Sequence, residues 1–252
     1  MSMLKADRTW LILGFCSVLF VVVNGLTIKD GHNWGDDFAQ YIRHAENIAD
    51  GKPYSGGVML EKWVVVPPGF PLLLAPLIKL FGLNFPALKW LNVIFWQMYV
   101  VFVFLLVKER LGERTALGIS LIFLTAPWFF VFKQNVLSDI PFLFFITAAL
   151  WSSEKYFKQG GNSYFLLALF LAGLAFLIRW AGVCFFIVWA LYVFLKNKGR
   201  GTLPLVLGTV AVLIVFQTWL GVSASNHVKE LSIPPAQFAS IMIAYVPAVL
   251  LA

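Results

Sequence analysis

Long apolar runs alternate with short polar turns along most of the chain. The runs cover residues 9–28, 86–107 and 115–132, then Ile140 to Trp151, then 164–195, and again 203–220. Most reach or approach the roughly 20 residues a helix needs to cross a bilayer's hydrocarbon core. The turns between them are charged or glycine-rich, as in "KERLGER", "KQNVLSD", "EKYFKQGGN" and "KNKGR". This pattern predicts an all-α polytopic membrane protein. A membrane β-barrel would read as short alternating segments, and none are seen. The run 164–195 carries one charge, Arg179. As a single helix it would be about 48 Å long at about 1.5 Å per residue, well beyond the hydrocarbon core. It must break, and "RWAG" is the natural apex.

Two segments between the first two spans behave differently. Residues 37–50 place Phe38, Tyr41, Ile42, Ala45 and Ala49 on one helical face, with Gly51 and Pro53 to end the helix. Asp37 and Gln40 have the spacing of a capping box with Asp37 as N-cap. The second segment, 67–82, is "PPGFPLLLAPLIKLFG". Pro67, Pro68, Pro71 and Pro76 make a continuous helix unfavourable there, so it is expected to be interfacial or re-entrant.

The charge pattern sets the expected orientation. The chain carries +7 net charge, yet only 12% of its residues are charged, about half the usual fraction of roughly 25% for a soluble domain. Its mean hydropathy is +0.84. In such a chain, Lys and Arg mark cytoplasmic turns rather than a nucleic-acid surface. If 67–82 does not cross, Lys5, Arg8 and the basic turns at 108–114, 154–158 and 196–200 all face the cytoplasm. The loop 29–66, the link 133–139 and the loop 221–238 then share the outer face. The first run lacks a small-residue cleavage site and reads as an uncleaved span. Residues 1–252 read as one transmembrane domain. The apolar run ending at Ala252 is too short to span, which points to a C-terminal truncation. Cys16 and Cys184 lie in apolar segments and read as small buried hydrophobes.

The candidate chemistry lies on the outer side. The cap accounts for Asp37 and leaves its neighbour Asp36 without a structural task, so Asp36 is the stronger candidate for catalysis or else a solvated loop acid. Ser138 or Asp139 suits the start of the helix that follows, with Pro141 tolerated in its first turn, and a capping acid there can still meet a ligand. Arg179 is either an interfacial arginine reaching headgroups or a cation aimed at an anionic ligand. Lys133 fits an interfacial anchor equally well, and Glu61 with Lys62 fits a solvated pair. His32 and His44 have no metal-site spacing. No Walker sequence, nucleotide loop or serine-triad signature is present.

The ordered set "GDDFAQYIRHAENIADGKPYS", "PPGFPLLLAPLIKLFG", "TAPWFFVFKQNVLSDIPF" and "GLAFLIRWAG" resembles the N-terminal membrane module of GT-C-fold glycosyltransferases. Within them it is most similar to the dolichyl-phosphate-mannose protein mannosyltransferase and aminoarabinose transferase superfamily, with its RgtA/B/C/D-like bacterial proteins. The resemblance covers residues 5–195. It implies a GT-C-like helix bundle with amphipathic interfacial helices in the first outer loop. It also implies an inverting transfer of sugar from a polyprenyl phosphate to an acceptor hydroxyl on a glycan, lipid or protein, at the outer face of a cell membrane. It carries the base onto Asp36, with Asp37 as acidic partner. Asp139, Arg179, Lys133, Lys62 and Tyr41 become donor-binding residues. In some relatives the acidic-basic pair directly precedes the prolines, whereas here valines intervene. The resemblance implies no cofactor; a divalent cation is compatible with it but not indicated. A lipid transporter and a non-catalytic subunit that binds polyprenyl phosphate are the rival readings.

Overall fold

The computed structural model describes residues 3–32, 37–54 and 66–197. Within them every regular element is a helix: α1 (Met3–Leu26), α2 (Asp37–Ala49), α3 (Gly69–Phe81), α4 (Phe85–Leu111), α5 (Glu113–Leu124), α6 (Pro127–Phe132), α7 (Asp139–Gln159), α8 (Asn162–Ile178) and α9 (Val183–Asn197), with a 3₁₀ turn at Trp180–Gly182 between the last two. Three stretches are long and apolar enough to cross a membrane: Arg8–Leu26, Phe85–Leu111 and Glu113–Phe132. The expected span 203–220 and the loop 221–238 lie outside the described residues.

Helix α4 is the spine. Asn84 caps its start, its side chain accepting from Ala87 N at 3.0 Å, and Pro86 follows where a missing N–H costs nothing. Its buried Phe95, Trp96, Tyr99 and Phe104 meet α1, α5, α6 and α7. The Trp96 ring stacks on Phe129 at 4.6 Å, Tyr99 meets Phe123 edge-on at 5.5 Å, and Phe95 lies 5.4 Å from Phe144. Offset and edge-on pairs of this kind suit the ring quadrupoles. By contrast, α1 leaves Leu11, Phe15, Val18, Leu19 and Leu26 exposed, an outward apolar face suited to lipid.

The helices sort their polar groups to two opposite ends. At one end, Lys29 N donates to Gln134 Oε1 at 3.0 Å, and Asn92 Nδ2 donates to the Asn135 carbonyl at 2.6 Å. At the other, Trp10 packs on Phe104 at 4.7 Å, and Lys108 lies 5.2 Å over the Trp10 ring. There too, Arg110 and Lys158 pair with Glu154 at 3.1 and 2.7 Å, while Lys155 and Lys158 pair with Glu109 at 2.5 and 3.1 Å. The long helices run between this basic end and the polar end.

The break expected at "RWAG" is present. Helix α8 stops at Ile178, Arg179 is extended, and α9 turns back along α7 and α8, with Trp189 at 5.6 Å from Phe165 and Tyr192 at 4.7 Å from Phe157. A Cβ at Gly182 would lie 2.5 Å from the Phe176 backbone, so the reversal is too tight for a side chain there.

The Pro-rich segment corrects the expectation of a discontinuous helix: α3 is continuous from Gly69 to Phe81. Pro67 and Pro68 precede it, and Pro71 falls in its first turn, where an N–H has no intrahelical acceptor. Only Pro76 removes an interior hydrogen bond. Helix α3 starts against the end of α8, and Gly82, at φ +65°, turns the chain straight into α4. Both of its ends therefore lie at the polar end of the bundle.

Candidate active site

Four chain segments converge at the polar end. Helix α2 is amphipathic, as its spacing predicts, and buries Tyr41, Ile42 and Ala45 against α3. Tyr41 packs edge-on against Phe70 at 5.0 Å, which points its hydroxyl past α3 toward the start of α7. There it meets Ser138 Oγ at 2.8 Å. Ser138 also accepts from Arg179 Nη1 at 3.0 Å, and the same nitrogen pairs with Asp139 Oδ2 at 2.8 Å. On the other side, Tyr41 donates to Asp37 Oδ2 at 3.5 Å. Asp37, Tyr41, Asp139 and Arg179, four of the residues singled out from the sequence, thus form one connected cluster. Tyr41 and Ser138 are buried, whereas the Arg179 and Asp139 side chains are 36% and 46% exposed. The ion pair faces outward from a dry hydroxyl pair.

Burial, the largest cause, pushes the Tyr41 phenol up to about 12; Asp37 and Asp139 add to the rise, while the Ser138 hydrogen bond and Arg179 oppose it. Tyr41 is therefore a neutral hydroxyl at physiological pH. A phenol that ionises near 10.0 when unfolded but at about 12 when folded gives stability that is full below the lower value and lost as pH rises through the window. Tyr41→Phe should flatten that loss by about 2–3 kcal/mol, measured as thermal unfolding in detergent at pH 9 and pH 11.5.

In the first turn of α2 the Asp37 carboxylate accepts from Tyr41. One sequence reading changes here. Ser138 precedes α7, but its side chain makes no capping bond; its hydroxyl is spent on Tyr41 and Arg179.

Lys133 lies elsewhere. It is buried, and its ammonium donates to Asn24 Oδ1 at 2.8 Å, to the Asn24 carbonyl at 3.5 Å and to Thr27 Oγ1. An ammonium has three donors, so all are committed to Asn24 in the last turn of α1 and to Thr27 just beyond it. Lys133 is a staple between α1 and the α6–α7 link rather than a free cation at the cluster. Lys89 does similar work, donating to the carbonyls of Lys29 and Gly31. An isolated lysine in the first turn of an apolar span was the available signal for it. Asp36, Glu61 and Lys62 lie outside the described residues. His44 Nδ1 donates to the Tyr54 carbonyl at 2.7 Å, with its ring stacked on Tyr54 at 4.0 Å, which clasps the turn after α2. Among the described residues no three of His, Cys, Asp and Glu are grouped to hold a metal ion.

The arginine is held in place by backbone packing. A Cβ at Gly69, the first residue of α3, would lie 2.6 Å from the Leu177 carbonyl, two residues before Arg179. Gly69→Ala should force α3 off α8 and cost about 1–3 kcal/mol, seen as a lower melting temperature in detergent. Gly14→Ala is the control, because nothing lies within 4 Å of that position, and it should melt at or above the wild-type temperature.

The bundle has a GT-C-like membrane fold. The backbone superposes on ArnT from Cupriavidus metallidurans, solved in the apo state, with a TM-score of 0.68 at 18% identity, over 88% of this chain and 43% of that one. The chain belongs to the dolichyl-phosphate-mannose-protein mannosyltransferase family, whose model matches residues 65–221. An uncharacterized protein of Aquifex aeolicus (strain VF5) is 28% identical over 141 residues, 53% of this chain and 28% of the relative. The chain thus spans less than half the length of either protein. The family match includes Asp139 and Arg179, while Asp37 and Tyr41 precede it.

Proposed function

We propose that this protein transfers a sugar from a polyprenyl-phosphate donor to an acceptor hydroxyl, with inversion at the anomeric carbon. The observation that carries this reading is the cluster itself: a carboxylate and a guanidinium, joined through two buried hydroxyls, where four segments meet at one end of a membrane bundle. The acidic doublet supplies the base: the sequence reading on Asp36 lies outside the described residues, and Asp37 is taken as the working carboxylate because it accepts from Tyr41 in the cluster. The base takes the acceptor hydroxyl's proton as that oxygen bonds to the anomeric carbon. The bond from that carbon to the phosphate oxygen breaks, and the electron pair leaves with the lipid phosphate. Arg179 stabilises the charge that develops there. Asp139 holds Arg179 in the donor's absence. Lys133 takes no part.

The charge pattern supports one membrane orientation. The basic end carries Lys108, Arg110, Arg114, Lys155 and Lys158 and belongs in the cytoplasm. The cluster then opens to the periplasmic, extracellular or lumenal side, with α2 and α3 lying in that interface. The prenyl chain needs an apolar bed. Phe142, Ile146 and Leu150 of α7, with Ala181, Phe185 and Val188, line a mostly apolar groove of about 600 Å³ that runs on to Arg110, Glu154 and Lys158 at the basic end.

Incubating the purified protein with radiolabelled polyprenyl-phosphate sugar and candidate acceptors tests the reading. Transfer supports it. Saturable binding without transfer would make the chain a non-catalytic carrier-binding subunit, and neither would leave the transporter.

A further inference from the structure

We infer that Ser138 and Tyr41 are positioning residues for the transfer, forming an oriented hydrogen-bond chain that fixes the phosphate-facing arginine relative to the acid-bearing helix. The inference rests on the reading of the site given above.

The chemistry of the two ends dictates the direction of the chain. A guanidinium only donates, so at the 3.0 Å contact Ser138 Oγ accepts from Arg179 Nη1. A carboxylate only accepts, so at the 3.5 Å contact the Tyr41 hydroxyl donates to Asp37. Tyrosine has one hydroxyl hydrogen, now spent. At the 2.8 Å contact between the two hydroxyls, Ser138 must therefore donate to Tyr41. The order runs from Arg179 to Ser138 to Tyr41 to Asp37, cation to anion, with each hydroxyl dipole aligned by the charges at the ends. Ser138 is 0% exposed and Tyr41 3%, so water does not compete and the low dielectric strengthens each bond.

This arrangement bears on both halves of the reaction. Both contacts described for Arg179 leave from Nη1. The guanidinium is gripped at one nitrogen, leaving Nε and Nη2 for a phosphate. Asp139, 46% exposed, cannot fix that orientation alone, because a surface carboxylate can follow the arginine as it swings. At the far end, the Tyr41 hydrogen is delivered to one carboxylate oxygen, which leaves the other lone pairs of Asp37 for the acceptor. Ser138 touches neither substrate in this scheme and acts through its neighbours.

The test compares wild type, Ser138→Ala, Ser138→Thr, Tyr41→Phe and the Ser138→Ala/Tyr41→Phe double variant of the whole chain in detergent. The readouts are polyprenyl-phosphate binding and radiolabelled sugar transfer. Ser138→Ala should raise the donor KM and lower kcat/KM by about tenfold, with its melting temperature close to wild type. Ser138→Thr, which restores a hydroxyl, should recover most of the loss. The double variant should be no worse than the weaker single variant, because both cut one chain. Wild-type KM and kcat in Ser138→Ala, or additive losses in the double variant, would overturn the inference while leaving transfer intact. If wild type binds but does not transfer, the same comparison is read from Kd, and an unchanged Kd in Ser138→Ala overturns it. A wild type that neither binds nor transfers overturns the functional reading and this inference with it.

Discussion

Asp37→Asn is expected to reduce sugar transfer by about 10²–10⁴-fold, the range a general base contributes, while the protein still folds. Asparagine has the same shape as aspartate, and its amide oxygen can accept the Tyr41 hydroxyl that Asp37 accepts at 3.5 Å. The hydrogen-bond chain to Ser138 and Arg179 therefore survives, and donor binding should be close to wild type. What asparagine cannot do is take a proton from the acceptor. Initial rates at saturating donor and acceptor, with a melting curve of the same sample, check the result. Asp36→Asn is the paired comparison and, with Asp37 as the base, should cost less than about tenfold. The opposite outcome, with Asp36 essential and Asp37 tolerant, would return the base to Asp36.

Arg179→Ala is the second large effect. Removing a preorganised donor from a developing oxyanion costs about 10²–10³-fold in comparable sites, and affinity for the polyprenyl phosphate should fall with it. The loss should be chemical rather than structural. Asp139 is 46% exposed, so it becomes a solvated acid rather than a buried unpaired charge. Arg179→Lys should recover only part of the activity. An ammonium is a point charge and cannot hold Ser138 and Asp139 through one nitrogen while offering two others to phosphate. Equal transfer by wild type and Arg179→Ala would remove the arginine from the mechanism.

Much of this architecture is written in periodicity. The apolar runs gave the long helices, the one-sided pattern of 37–50 gave α2, and the excess length of 164–195 required the break that falls at Arg179. The continuity of α3 was misread, because four prolines were weighed alike. Only Pro76 stands where a missing N–H costs an interior bond. In the site, Asp139 and Arg179 were legible as charges beside apolar segments. Their direct pairing was not, since 40 residues separate them and only the fold brings α7 to the end of α8. Ser138 was read through its local role because a serine before a helix is usually a cap. Lys133 was read through its charge, since no local pattern reveals that Asn24 and Thr27, over 100 positions earlier, would use up its donors. Backbone-driven features could be found by spacing, and side-chain partnerships across long loops could not.

The ion pairs at the basic end are fault-tolerant in one direction only. Glu154 is shared by Arg110 and Lys158, and Glu109 by Lys155 and Lys158. Deleting any one of the three cations still leaves each carboxylate a partner. Deleting Glu109 leaves Lys155 without its described ion-pair partner, and deleting Glu154 does the same to Arg110. Evolutionary drift in this chain therefore has room to trade lysines and arginines here, and much less room to lose either glutamate.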